Sequence, residues 1–173
     1  MFFDIWTIIN PVLRTLVYIT VLTTIGTVIF QFHFNNFFDK ELSNYCRVLI
    51  KKMSVFGLFT SLVVFLSVAG NLGGDLYSTT DLSLLILAFE TLSGKSAILL
   101  FTGFFVIIIS LFINGTFSSL TKFLGIILIL WSFIIVGHST LKGLSTQTLI
   151  VIHIFCISFW LGSFLPLRFM CMN

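Results

Sequence analysis

Residues 97–113 read AILLFTGFFVIIISLFI, without a single charged side chain. A predominantly apolar run of about 17–25 residues is what an α-helix needs to cross the hydrocarbon core of a bilayer. Four more apolar stretches lie at 8–32, 53–72, 117–136 and 146–169. The pattern predicts an all-α fold, a polytopic integral membrane helical bundle with about five transmembrane helices. The whole chain, residues 1–173, is expected to form one membrane domain.

The composition supports this class of protein. The chain is 58% hydrophobic and 9% charged, with a mean hydropathy of +1.16. Soluble domains carry about 25% charged residues, so a soluble fold is excluded. Transmembrane β-barrels show alternating segments of about ten residues, whereas the apolar runs here are continuous. The N-terminus carries no basic region or cleavage site, so we expect the first stretch to be retained as a span.

A shorter apolar run, LSLLILAFE at residues 82–90, lies between the second and third predicted spans. A helix rises 1.5 Å per residue, so this run is too short to cross a bilayer about 30 Å thick. We therefore predict an interfacial or re-entrant helix around residues 82–90.

Lysine and arginine accumulate in cytoplasmic loops, and this bias predicts the orientation. The segment after the first span is the most basic, with Lys40, Arg47, Lys51 and Lys52. The segment after the second span carries Asp75, Asp81 and Glu90 against Lys95. The predicted topology has the N-terminus outside and the C-terminus inside, and it puts the region around residues 138–153 at the outer side.

Two histidines and one cysteine in this outer region are the candidate metal ligands. His138 ends the fourth predicted span, and His153 and Cys156 lie in the fifth. Because titratable side chains are costly inside a bilayer, an intramembrane one is a functional-site hypothesis by default. His153, Cys156 and Trp160 recur at i, i+3 and i+7, so they share one helix face. Imidazole and thiolate suit copper or zinc, and thiolate in particular selects Cu(I).

Structural roles for the same side chains stay open. Cys156 can be a small buried hydrophobic residue, and His153 can hydrogen-bond a neighbouring helix. His138 can face headgroups and water. His33, at the predicted cytoplasmic end of the first span, is expected to be an interfacial anchor.

The sequence contains no catalytic or phosphate-binding motif of a known type. It has no Gly-rich phosphate loop, no HExxH and no Ser/His/Asp arrangement, so we expect a protein that is not an enzyme. The three cysteines are scattered and odd in number, which argues against a disulfide framework. The small positive net charge gives no indication of nucleic-acid binding.

Residues 136–167 contain Gly137-His138-Ser139, Trp160-Leu-Gly162 and Pro166-Leu167, together with His153. This pattern resembles the copper resistance protein D (CopD) family of bacterial inner-membrane proteins. The resemblance covers most of the chain and is weaker outside this segment, as at residues 12–30 and 89–100. It implies copper uptake across the inner membrane together with a periplasmic copper-binding protein, and it adds weight to His138 and His153 as ligands. Members of that family are typically longer, with more spans than the five found here.

The function that these residues favour is copper binding and transport through an outer-leaflet histidine site. Copper is then the expected metal, and the expected partners are the lipid bilayer, a periplasmic copper-binding protein and other membrane subunits. Two alternatives remain at this stage. The chain can be a structural or assembly subunit of a larger membrane complex without its own ligand, or a b-haem electron-transfer subunit whose two histidines ligate one iron.

Overall fold

The computed structural model describes residues 5–34, 39–136 and 143–172, and every regular element in these ranges is helical. The long helices are α1 (Trp6–Phe34), α2 (Lys40–Gly73), α4 (Leu92–Ser110), α5 (Thr116–Ile134) and α6 (Leu144–Met172). A 3₁₀ turn, Tyr77–Thr80, and the short helix α3, Leu82–Glu90, lie between α2 and α4. Five helices are long and apolar enough to cross a membrane, which confirms the predicted fold class.

Consecutive spans run in opposite directions, so the bundle has two distinct ends. At one end the side-chain amide of Asn10 donates to Asn71, with 2.9 Å between nitrogen and oxygen. At the other end the rings of Tyr45 and Phe169 stack, with centroids 4.4 Å apart. We call the second end the basic end, because the first turns of α2 carry Lys40, Arg47, Lys51 and Lys52 there. The first end, which holds Asp75, Asp81 and Glu90, is the acidic end.

The second helix begins well before the predicted span at 53–72. Asp39 caps α2: its carboxylate accepts a hydrogen bond from the Leu42 N–H at 2.7 Å. Leu42, Cys46, Leu49 and Ile50 form a buried stripe along the added turns. Their spacing is that of one helix face, so burial of this stripe explains why a polar segment continues as helix.

Helix α1 lies at the centre of the bundle, and 44% of its most apolar window is buried. Val21 and Ile25 pack in the main core with Phe104, Ile107 and Ile129, each no more than 1% exposed. Small residues bring the helix pairs close together. This is usual in a bilayer, where van der Waals packing rather than the hydrophobic effect drives helix association. A Cβ added at Gly103 would lie 2.6 Å from Cγ1 of Ile129, so α4 and α5 touch almost backbone to backbone there.

The acidic end is organised by two aspartates that cap short turns. Asp75 accepts hydrogen bonds from Ser78, and Asp81 accepts them from Ser83 at the start of α3. These bonds favour the ionised carboxylates, so the pKa of each aspartate lies below its usual value. The predicted short helix at 82–90 is therefore confirmed as α3, and its interfacial position stays a prediction.

Candidate metal site

Helix α6 packs on α1 through a face of small residues. Ile154, Ser158 and Gly162 are buried on this side. Gly162 meets Gly26 of α1, since a Cβ added at Gly162 would lie 2.5 Å from Cα of Gly26. The Thr27 hydroxyl donates to the carbonyl of Gly162 across the same contact, at 3.3 Å. This contact fixes the rotation of α6 and therefore decides which way its other side chains point.

His153 and Cys156 lie on the opposite, exposed face of α6. Leu149, at 66% exposed, and Trp160, at 79% exposed, share this face. With 3.6 residues per turn, positions 149, 153, 156 and 160 form one stripe roughly opposite Ser158 and Gly162. We call these four residues the outer stripe of α6.

The two polar members of the outer stripe are spaced so that both can reach one metal ion. Side chains three residues apart in a helix have Cβ atoms about 5–6 Å apart. Cys156 is a free thiol, and an imidazole with a thiolate is a donor pair that suits copper. Among residues 5–34, 39–136 and 143–172, no group of three or more His, Cys, Asp or Glu side chains is arranged to hold a metal.

His138, the third predicted ligand, lies outside the described residues. The structure therefore brings together His153 and Cys156 and does not describe their relation to His138. His33 lies near the end of α1, exposed and at the basic end, and its role as an interfacial anchor stays a prediction. Its ring packs edge-on against Phe34, with centroids 4.8 Å apart.

A family model described as "Copper resistance protein D-like, N-terminal domain" matches residues 4–147, most of the chain. The chain belongs to this copper resistance protein D-like family. No curated protein and no solved structure matches the chain. The family assignment that the sequence suggested is thus confirmed.

The extent of the match determines which of the proposed ligands of this CopD-like chain lie in the region shared with the family. It takes in α1 to α5, His138 and the first turn of α6. His153, Cys156 and the Trp160-Leu-Gly162 segment lie beyond it. The match covers residues 4–147, most of which lie outside the segment 136–167 where the resemblance was strongest. It includes only one of the two histidines on which the resemblance relied.

Sequence reasoning missed a second polar feature of the CopD-like chain. A cavity of about 450 Å³ opens at the basic end between α1, α2, α4 and α5. Arg47, Lys122 and His33 line it together with Gln31. Lys122 was the available signal: it is the one charged residue in an otherwise apolar or hydroxyl-bearing stretch, 117–136.

Proposed function

We propose that the chain binds copper and carries it across the bacterial inner membrane, as part of copper uptake and homeostasis. His138, His153 and Cys156 are the proposed ligands. The observation that carries the proposal is the pairing of an imidazole and a thiol, one helical turn apart on one face of α6, in a chain of the CopD-like family. The family indicates a copper-related membrane function.

The chemistry of the donors favours the reduced ion. A thiolate is a soft ligand that selects Cu(I), and a neutral imidazole complements it. Cys156 would supply sulfur and His153 nitrogen from α6, while His138, which follows α5 in the sequence, would supply a second nitrogen. In the predicted orientation this set faces the periplasmic side, where a copper-binding protein would deliver its cargo.

The exposure of the outer stripe supports completion of the site by another polypeptide. Titratable side chains in membrane proteins almost always face the bundle interior or a water-filled cavity rather than lipid. His153 faces away from the bundle that the described residues form. A helix of a membrane partner lying on this stripe would shield His153 and supply further donors.

The same stripe supports a second candidate function, that of an assembly subunit. Trp160 and Leu149 are large apolar side chains beside His153, and only 22% of the α6 window is buried within the chain. A subunit that docks through α6 without binding metal would present such a face. The two proposals differ in whether copper is present.

Metal analysis of the purified protein separates these functions. The protein would be produced in copper-supplemented cells, purified in detergent, and compared with the His138→Ala/His153→Ala variant. His33→Ala is the matched control, because it removes the third histidine at the opposite end of the bundle. Copper close to stoichiometric in the wild type and the control, and lost from the double variant, is the expected result.

Three other results would redirect the assignment. A stable complex with another membrane protein that contains no metal would favour the assembly role. A haem absorption band that disappears in the double variant would favour the electron-transfer alternative. Copper retained at wild-type level by the double variant would refute the assignment of His138 and His153 as copper ligands.

A further inference from the structure

The cavity at the basic end lies where the spans meet the polar surface of the membrane. Its wall includes Ser110, Leu111, Asn114 and Gly115, the turn that joins α4 to α5. The facing wall comes from the end of α1 and the first turns of α2. Because a turn between two spans lies near the headgroup layer, a ligand in this cavity would sit at the depth of lipid phosphates.

Two cationic side chains converge on this cavity. One guanidinium nitrogen of Arg47 donates to the carbonyl of Leu111 at 2.6 Å. The ammonium of Lys122 donates to the side-chain oxygen of Gln31 at 3.3 Å. Both partners are neutral, so these bonds position the cations without compensating their charge.

Donor capacity remains after these bonds are made. A guanidinium has five N–H donors and an ammonium three, and within the part of the chain that the structure describes each of these side chains makes one hydrogen bond. Among the described residues, no aspartate or glutamate lines the cavity. The cavity therefore combines uncompensated positive charge with free N–H donors.

Neutral donors surround the two cations. The hydroxyls of Ser43 and Ser119 line the cavity. Gly115, with φ of 72°, precedes α5, and among the described residues no side-chain hydrogen bond caps the start of that helix. The first N–H groups of a helix carry partial positive charge, so they add to the field of Arg47 and Lys122.

We propose that this cavity binds a phosphate group, borne by an anionic lipid headgroup or by free phosphate. Arg47 would engage two phosphate oxygens through its planar guanidinium, and Lys122 would act as a point charge. A metal cation is disfavoured, because Arg47 and Lys122 would repel it. The cytoplasmic leaflet, where the basic end is predicted to lie, is rich in anionic lipids. The site is independent of the proposed copper ligands.

The test compares two double variants that each remove two positive charges. Arg47→Gln/Lys122→Gln removes the cavity cations and keeps a hydrogen-bond donor at each position. Lys51→Gln/Lys52→Gln is the matched control, since both lysines are exposed on the same helix as Arg47 but do not line the cavity. A third variant, Ser119→Glu, adds a negative charge to the cavity and replaces neither cation.

Two probes distinguish the sources of phosphate. Inorganic phosphate is titrated calorimetrically into protein in a neutral detergent. Native mass spectrometry then measures retained phosphatidylglycerol, after reconstitution into phosphatidylcholine bilayers with and without that lipid. We expect at least one probe to bind the wild type and the Lys51→Gln/Lys52→Gln control equally. Binding should be about tenfold weaker or more in Arg47→Gln/Lys122→Gln, a loss of at least about 1.4 kcal/mol, and equally impaired in Ser119→Glu.

The probe whose binding the cavity variants weaken identifies the source of the phosphate. Loss of phosphate binding alone identifies a soluble anion, and loss of phosphatidylglycerol alone identifies a lipid. The proposal is overturned if neither probe binds the wild type, or if the Lys51→Gln/Lys52→Gln control loses as much binding as the cavity variant. Unchanged binding by Ser119→Glu also overturns it, even where the Arg47→Gln/Lys122→Gln protein does not fold.

Discussion

Gly26 and Gly162 lie so close together that even a methyl side chain at position 162 should lower the stability of the bundle. In Gly162→Ala the new Cβ would lie 2.5 Å from Cα of Gly26 and 2.8 Å from the carbonyl oxygen of Leu22. Ordinary contact begins near 3.4 Å, so α6 must move away from α1. Both atoms that the methyl group meets belong to the backbone, which cannot rotate away as a flexible side chain would.

The cost follows from overpacking of a close interface. Inserting one methyl group into a well-packed site typically costs about 1–3 kcal/mol. The Thr27 hydrogen bond to Gly162 lies in the same contact and would be stretched, so we expect a value in the upper half of that range. Association of helices in a bilayer depends on such packing, so the effect should appear in the stability of the whole bundle.

Reversible unfolding in mixed detergent, followed by circular dichroism, measures this change. Ile127→Phe is the control, because it enlarges a side chain of α5 that is 54% exposed. We expect a lower unfolding free energy for Gly162→Ala and an unchanged value for Ile127→Phe. Equal stability of Gly162→Ala and the wild type would refute the close α1–α6 packing described above.

Three further predictions concern the ends of the bundle. Asp39→Ala removes the cap of α2 and should lower the unfolding free energy by about 1 kcal/mol in the same assay; no change would contradict the capping role. The carboxylates of Asp75 and Asp81 have lowered pKa values in the folded protein. Their contribution to the stability of the folded protein is therefore present at neutral pH and is lost as the pH falls through those lowered values. Amide hydrogen exchange, corrected for its intrinsic dependence on pH, should show α3 opening more readily on acidification, and Asp81→Asn should remove part of that dependence. In a background without the native cysteines, Lys51→Cys should react with an impermeant maleimide only from the cytoplasmic side. Asp81→Cys should react only from the periplasmic side. The reverse labelling pattern would show that the predicted orientation is wrong.

The membrane-spanning elements could be predicted from the sequence because a bilayer imposes a simple requirement on length and polarity. Continuous apolar runs identified all five spans, and the bounded run at 82–90 identified α3. The start of α2 was harder to find. Its first turns are polar in composition, and only the spacing of Leu42, Cys46 and Leu49 indicates a buried face.

The candidate sites depend on tertiary structure that spacing alone does not contain. The i, i+3 relation predicts that His153 and Cys156 share a face. Large apolar residues are spread around the whole circumference of α6, so its pattern does not indicate which face meets α1. The Gly26–Gly162 contact determines that rotation. Arg47 and Lys122 meet only because α2 and α5 pack around the same cavity, so neither residue suggested an anion site by itself.

In the function that we propose, nitrogen and sulfur donors from α6 hold copper. X-ray absorption at the copper edge, on protein loaded with Cu(I) in detergent, tests it most directly. We predict a first coordination shell that contains sulfur and imidazole nitrogen. The sulfur contribution should be lost in Cys156→Ser. It should be retained in the control Cys46→Ser, because the Cys46 thiol is buried near the basic end. A spectrum without sulfur in the wild type, or one that Cys156→Ser leaves unchanged, would contradict the proposed site.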